Sequence, residues 1–172
     1  IGGDTEPDAS DPNTWELGEP VFEGPFQTDG LGQAAISVQL NAGIYRAVLA
    51  TQDRFGTPVT ASLTFQVVDP RARTYRVRLA SHVAARGWSV EPGMTFLCLW
   101  GTGYDTGRAY IEVECKGQVL EAWWTDPNRT QVVVERPVTD QMRGGFTVRV
   151  TYVRENRAYI TSRTVAVPWT NK

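Results

Sequence analysis

The chain has 172 residues, 41% of them hydrophobic and including six Trp, six Tyr and six Phe, enough apolar material for one large or two small packed domains. A formal net charge of −2 and a pI near 5.5 give no overall field to draw nucleic acid or an anionic membrane, so neither is expected as a partner. No run of about 18 apolar residues and no basic-then-apolar leader is present. The Ile1-Gly2-Gly3 start and the Asn171-Lys172 end read as an excised piece of something longer, with any export signal or membrane anchor outside it.

Residues 1–19 are polar and rich in breakers (Gly2, Gly3, Pro7, Pro12, Gly18), with Trp15 and Leu17 as the sizeable anchors after Ile1, and are expected to form a linker or irregular arm. Asp4, Asp8 and Asp11 lack the spacing and closing Glu of a calcium loop and read as a solvated tail. Residues 20–69 then turn to short strands. Val21 to Thr28 is weak and broken at Gly24-Pro25, Ala34 to Leu40 is clearer, and Gly43 to Thr51 returns as Thr60 to Val68 across the turn Asp53-Arg54-Phe55-Gly56-Thr57-Pro58. The count is about four strands, fewer than a self-sufficient sandwich generally has, so either the arm contributes pairing or this first β module is small or incomplete.

Pro70 and the charged run that follows it mark residues 70–73 as a linker to a second domain at 74–168. There Tyr75, Val77 and Leu79 alternate with Arg76 and Arg78, a half-buried strand. Arg71, Arg73, Arg76 and Arg78 read as the guard of an edge strand rather than as a phosphate strip. Met94 to Cys115 gives two β-prone runs about a Gly-rich segment, Gly101 to Gly107, and is expected to fold as a hairpin. Its incoming run is apolar on both faces, which calls for cover from beyond its own sandwich. Further strands are expected at Val119 to Thr125, at Gln131 to Glu135, from Phe146, and at Ala158 to Val167 after a tight Glu155-Asn156 turn. Seven or eight strands in about 95 residues is the arithmetic of an antiparallel β-sandwich. Residues 169–172 begin a further linker.

No catalytic, cofactor or metal constellation assembles, and the chain is read as a non-enzyme that needs no cofactor. The single histidine, His82, has no nearby Cys, and a base role for it cannot be established from sequence. A zinc site from His82, Cys98 and Cys115 has no supporting spacing, and Gly101 to Gly107 lies between strands rather than before a helix, as a phosphate cradle requires. With the turn centred near Tyr104, Cys98 would sit opposite about residue 110, leaving Cys115 on the order of 17 Å further along. That exceeds the reach of a disulfide, so two reduced thiols on opposite faces are expected. One of the adjacent Trp123 and Trp124 must point away from a core. With Trp88 and Trp100, the outward one could form a sugar platform or a contact with a neighbouring domain. The second is preferred, and Phe96, Trp100, Trp123 and Trp124 are the candidate domain-interface residues. Asn128-Arg129-Thr130 is a glycosylation triplet that reads first as a turn.

The string Gly43-Ile-Tyr-Arg46, followed by Asp53-Arg-Phe-Gly56, resembles the macroglobulin-type β-sandwich modules of bacterial alpha-2-macroglobulins. So do Glu91-Pro-Gly93, the apolar strand Phe96 to Trp100, Arg143-Gly-Gly-Phe146, Val153-Arg-Glu-Asn-Arg157 and the exit Val167-Pro-Trp-Thr-Asn-Lys172. The resemblance covers about residues 42 to 172. It implies an all-β chain of tandem antiparallel β-sandwiches, macroglobulin-, immunoglobulin- or fibronectin-III-like, in an extracytoplasmic protein that is periplasmic, lipid-anchored, on the cell surface or secreted. It also implies scaffold modules of a broad protease-trapping inhibitor, with neighbouring modules of the same polypeptide and, through the full-length protein, target proteases as partners. The family's reactive Cys-Gly/Leu-Glu-Gln motif is absent, since Cys98 is followed by Leu99-Trp100-Gly101 and Cys115 by Lys116-Gly117-Gln118. The alternative reading is a cell-surface adhesion or carbohydrate-binding module that uses Trp123 or Trp124.

Overall fold

The computed structural model describes residues 11–169. The expectations for Asp4 and Asp8 of the arm, and for residues 170–172 of the exit linker, lie outside the described residues. The chain is all-β and divides between Asp69 and Pro70 into two units.

In the first unit, β1 (Gly43–Gln52) and β2 (Pro58–Val67) pair antiparallel through an unbroken register from Gly43↔Val67 to Gln52↔Pro58. The turn between them is built by Asp53, whose Oδ1 accepts from the Phe55 and Thr57 amides at 2.8 Å each, while Gly56 takes φ +83°. The Thr57 amide is the chief cause of a carboxyl held below the usual aspartate range, opposed in part by desolvation. At the open end Tyr45 stacks on Phe65 at 5.9 Å. Arg46 Nη2 donates to the carbonyls of Pro12, Asn13 and Trp15 at 2.9, 2.7 and 3.2 Å, pinning the 3-10 turn Pro12–Thr14 of the arm. The strands expected at 21–28 and 34–40 do not form. Asp29 makes the same kind of turn as Asp53, accepting from the Leu31 and Gln33 amides at 2.9 Å each, but no ladder extends from it. β-propensity is a preference for a pleated, packed surface, and residues 21–40 have none to lie on.

The second unit is a sandwich. One sheet has the order β3-β4-β7 (His82–Ala85, Thr95–Gly101, Gln131–Pro137), and the other β6-β5-β8-β9 (Gln118–Trp124, Ala109–Cys115, Phe146–Arg154, Arg157–Val165). Every pair within these sheets is antiparallel. Phe96, Cys98, Trp100 and Val134 from the first sheet meet Ile111, Val113, Val148, Val150 and Tyr152 from the second in one buried cluster. Aromatic pairs bridge the layers, Phe96 edge-on to Phe146 at 5.5 Å and Trp100 against Tyr152 at 5.4 Å.

The expected hairpin of Phe96–Trp100 with Ala109–Cys115 is corrected here. The two runs lie in opposite sheets, and residues 102–108 cross between layers instead of turning back. The crossing is held to other segments: Thr102 N donates to Thr130 O at 2.9 Å, Gly103 N to Leu79 O at 2.7 Å and Gly107 N to Pro127 O at 3.1 Å. The hairpin that does form beside Cys115 is on its other side, β5 to β6, through Lys116 (φ +53°) and Gly117 (φ +78°). Period-two alternation says which face of a strand is buried; it does not say which strand lies next to it.

The run Tyr75 to Leu79 keeps its expected alternation, with Tyr75, Val77 and Leu79 buried and Arg76 and Arg78 exposed, but belongs to neither sheet. Instead Tyr75 N donates to Thr130 Oγ1 at 3.0 Å, and the Tyr75 ring lies where a side chain on Gly101 would be, 2.4 Å from an ideal Cβ. The outward face of β4 is thus covered at Gly101 by the unit's own entry segment, and Leu99 beside it is buried. The domain's polypeptide is already engaged within the expected linker, because the carbonyls of Ala72 and Arg73 accept from the Gln131 side chain and amide. The sequence reading had no strand at His82–Ala85, whose partner is β4.

Candidate functional site

Because strand residues alternate between faces, the odd positions of β5 fill the core and Tyr110, Glu112 and Glu114 project from the outer face of the four-stranded sheet. Register extends that row across the sheet. Tyr110 lies opposite Trp124 on one side and Thr151 on the other, and Thr151 lies opposite Ile160. Val153 and Ala158 form the next pair beyond it. Trp124, Val153 and Ile160 are 55%, 62% and 64% exposed, so an apolar ridge stands in water at this end of the face. Trp124 is not a flat platform: Tyr110 meets it at 5.0 Å with the rings tilted by 47°, and the Arg108 guanidinium lies 5.1 Å over the indole.

Away from the ridge the same face is ionic. Arg149 reaches Glu112 at 3.8 Å and Glu114 at 3.9 Å, solvated pairs each contributing at most about 1 kcal/mol. An apolar strip beside a charged, hydrated field can bind by burying the strip.

The four candidate interface residues part company. Trp123, opposite Ile111, packs against the core, and Trp124, opposite Tyr110, faces outward. Phe96 (3% exposed) and Trp100 (0%) are corrected as interface candidates: both lie inside the unit's own sandwich, with Trp88 5.7 Å from Phe96 and Trp100 Nε1 donating to Ser81 Oγ at 3.2 Å. The structure therefore brings Trp123 and Trp124 to one sheet but to opposite faces of it. Sequence reasoning missed the rest of the ridge, Tyr110, Val153 and Ile160. Their outward positions are legible within each strand, but their alignment is a matter of register between strands.

Other groups singled out from sequence are embedded or unconvergent. His82 stacks on Tyr75 at 6.0 Å, and burial holds its pKa below the usual imidazole value. Cys98 and Cys115 are free, buried and inward-facing from opposite layers, not on opposite faces of one hairpin. Burial pushes the Cys98 thiol up to about 12, and Cys115 Sγ lies 3.5 Å from Gly145 O. Among the described residues no three His, Cys, Asp or Glu side chains are grouped to hold a metal. Arg71, Arg73, Arg76 and Arg78 are exposed along the entry segment, and Asn128 sits in a turn in which its amide donates to Asp126 Oδ1 at 2.9 Å. No helix of the described residues is long and apolar enough to cross a membrane.

No family model matches this chain, and no curated protein matches it. Among solved structures it is similar to a lytic polysaccharide monooxygenase of Jonesia denitrificans, at 18% identity and a TM-score of 0.31 over 46% of this chain and 56% of that one. It is also similar to domains d3-d4 of the extracellular region of rat CD45, at 8% identity and a TM-score of 0.31 over 93% and 85%. The chain thus spans a little over half of the monooxygenase it resembles, and at these scores neither likeness carries over to function.

Proposed function

We propose that the chain forms scaffold modules of an extracytoplasmic, alpha-2-macroglobulin-like protease inhibitor, positioning other parts of that protein rather than carrying out a reaction. One observation carries this reading: the short strings that resemble macroglobulin-type modules fall on the backbone positions that shape the second unit. Glu91-Pro-Gly93 is a turn with Gly93 at φ +86°. Arg143-Gly-Gly-Phe146 places φ +94° and +116° at its glycines, and Glu155-Asn156, at +50° and +58°, closes the β8–β9 hairpin. Arg143 Nη1 donates to the carbonyls of Pro168 and Trp169 at 2.8 Å each, so two of the strings hold one another and fix the direction of the exit segment. A closed core around bridging aromatics suits a rigid spacer, and the ridge at Trp124 suits a contact with a neighbouring module.

The test uses the natural full-length polypeptide containing these residues and a panel of endopeptidases acting on a large protein substrate. The full-length protein is expected to slow several of them, and the 172-residue chain none. A full-length protein that slows none, or a 172-residue chain that inhibits stoichiometrically, overturns the reading. The second reading, a carbohydrate-binding or adhesion module, draws on the outward Trp124, although the tilted Tyr110 and the overlying Arg108 leave it no flat sugar platform. Glycan-array binding that disappears in Trp124→Ala would support it over the scaffold.

A further inference from the structure

The net charge of −2 hides an uneven distribution. Residues 70–172 hold 15 Lys and Arg against 9 Asp and Glu, a formal +6. The imbalance is greatest where the second unit begins, since from Pro70 to Val90 there are five arginines and no Asp or Glu. On a ladder edge such arginines would discourage strand addition, but residues 74–79 pair in neither sheet, so that role has no edge to act on.

The segment is nevertheless fixed. Tyr75, Val77 and Leu79 are buried, Tyr75 N donates to Thr130 Oγ1 at 3.0 Å, and Leu79 O accepts from Gly103 N at 2.7 Å. A Cβ on Gly103 would stand 2.6 Å from Val77 O and 2.7 Å from Arg78 Cα, so glycine is what lets the two backbones lie this close. Leu79 N also donates to Val77 O at 2.8 Å, a three-residue turn with Arg78 at its tip. Arg76 and Arg78 are thereby held in water, their Cα atoms at most about 7 Å apart.

These cations are not neutralised within the fold. Among the described residues Arg73, Arg76 and Arg78 are exposed and form no ion pair, whereas Arg136, Arg143 and Arg149 have carboxylates at 3.5, 2.7 and 3.8 Å. Arg129 stands beside them, because the two residues after it bond to the strip: Thr130 accepts from Tyr75, and Gln131 N donates to Arg73 O at 3.1 Å. The Arg129 Nε is shielded from water and has no acceptor among the described residues, a donor that a bound anion would satisfy.

The strip selects among anions. Nucleobases and sugars bind on an exposed aromatic face, and the ring of the strip, Tyr75, is 5% exposed, turned to Gly101 and stacked on His82. In an extended peptide, side chains on one face recur every ~6.8 Å, a spacing that Arg76 and Arg78 can match. Each guanidinium can receive a carboxylate through two parallel N–H···O bonds. We infer that Arg76 and Arg78, flanked by Arg73 and Arg129, form a docking strip for an extended acidic segment of a partner protein, with carboxylates at alternate positions. The inference stands apart from protease inhibition, since peptide binding is measured on the 172-residue chain whatever the full-length protein inhibits.

The test is fluorescence anisotropy of the 172-residue chain with a labelled octapeptide of alternating Glu and Thr. Binding is expected at about 50 mM salt and should weaken severalfold by about 300 mM. The double variant Arg76→Gln with Arg78→Gln should bind about tenfold more weakly or worse, which is about 1.4 kcal/mol. Arg157→Gln, an exposed arginine of β9, should bind as the unmutated chain does. The same eight residues with the four Glu in one block should bind about threefold more weakly or worse. On the unmutated chain, added peptide should move the amide resonances of residues 73–79 and leave those of 157–165 in place. Absent binding, undiminished binding by the double variant, equal binding of the blocked peptide or resonance changes confined to other residues each overturn the inference. Tighter binding of oligothymidylate or of a sulfated polysaccharide, lost in the double variant, overturns the acidic peptide as occupant.

Discussion

Leu63 and Val113 hold equivalent places, each on the apolar side of a long antiparallel strand, yet Leu63 is 67% exposed and Val113 is 1% exposed. Nothing in the two strands' own sequences separates them. The difference is a second layer: Val113 faces Phe96, Cys98 and Trp100 across the sandwich, and Leu63 faces water. A hairpin of ten pairs has as regular a ladder as β8–β9, so backbone pairing alone does not make a stable unit. Apolar burial supplies the dominant favourable term, roughly 25 cal/mol for each Å² removed from water, and among the described residues it is concentrated in the second unit.

The comparison is broken most directly by truncating one side chain in each region. Trp100→Ala, at a fully buried position, should cost about 3–5 kcal/mol, and Leu63→Ala about 0.5 kcal/mol or less. Urea unfolding of the 172-residue chain, followed by near-ultraviolet circular dichroism, distinguishes them. Equal costs would mean that the hairpin is packed in solution.

Backbone strain gives the next contrast. Gly145 has φ +116°, and a Cβ there would stand 2.7 Å from Val165 O, whereas Gly56 has φ +83° with nothing within 4 Å. Gly145→Ala should cost about 2–3 kcal/mol, because a backbone atom of β9 must move. Gly56→Ala should cost about 1 kcal/mol and leave the second unit's melting temperature where it was.

Each unit also has an arginine that gathers carbonyls. Arg143→Ala should lower the second unit's stability by about 1–2 kcal/mol and speed amide exchange around Val167, because a charged donor to two carbonyls is lost. Arg46→Ala should free the 12–15 turn, seen as faster exchange there, with no change in the second unit.

The smallest effect expected is pH-dependent. His82, the only histidine, has its folded pKa lowered by burial, so the unfolded chain takes up a proton that the folded chain resists. Its contribution is fully present above the unfolded value of about 6.5 and is lost as pH falls from there toward the folded pKa. His82→Gln should flatten that slope in unfolding experiments between pH 5 and 7.5. An unchanged slope would place its origin in the carboxylates.

Much of the second unit could be read in advance because its strands are long and alternate cleanly. Ile111, Val113, Val148 and Val150 are inward as alternation requires, and Glu155-Asn156 is the tight turn its spacing implies. The errors cluster where a choice of partner was at stake. Phe96 to Trp100 and Ala109 to Cys115 were expected side by side, because seven Gly-rich residues can serve as a loop or a crossing. The segments that decide between these, 79–80 and 125–130, are distant in sequence. The same mistake put the two thiols on opposite faces of one hairpin and sent Phe96 and Trp100 outward as interface residues. Of the ridge only Trp124 was visible beforehand, since adjacent tryptophans force one outward, whereas Tyr110, Val153 and Ile160 join it through pairings among three strands.

By itself, the order of residues determined that this protein is pleated sheet and which side of each strand is apolar, because these follow from local steric preference and a period of two. Only the tertiary structure decided which strands are neighbours and which apolar side finds a cover. Those choices are made by contacts between segments far apart in the chain, whose free energy depends on all the layers present, and among the described residues the first unit has one sheet where the second has two.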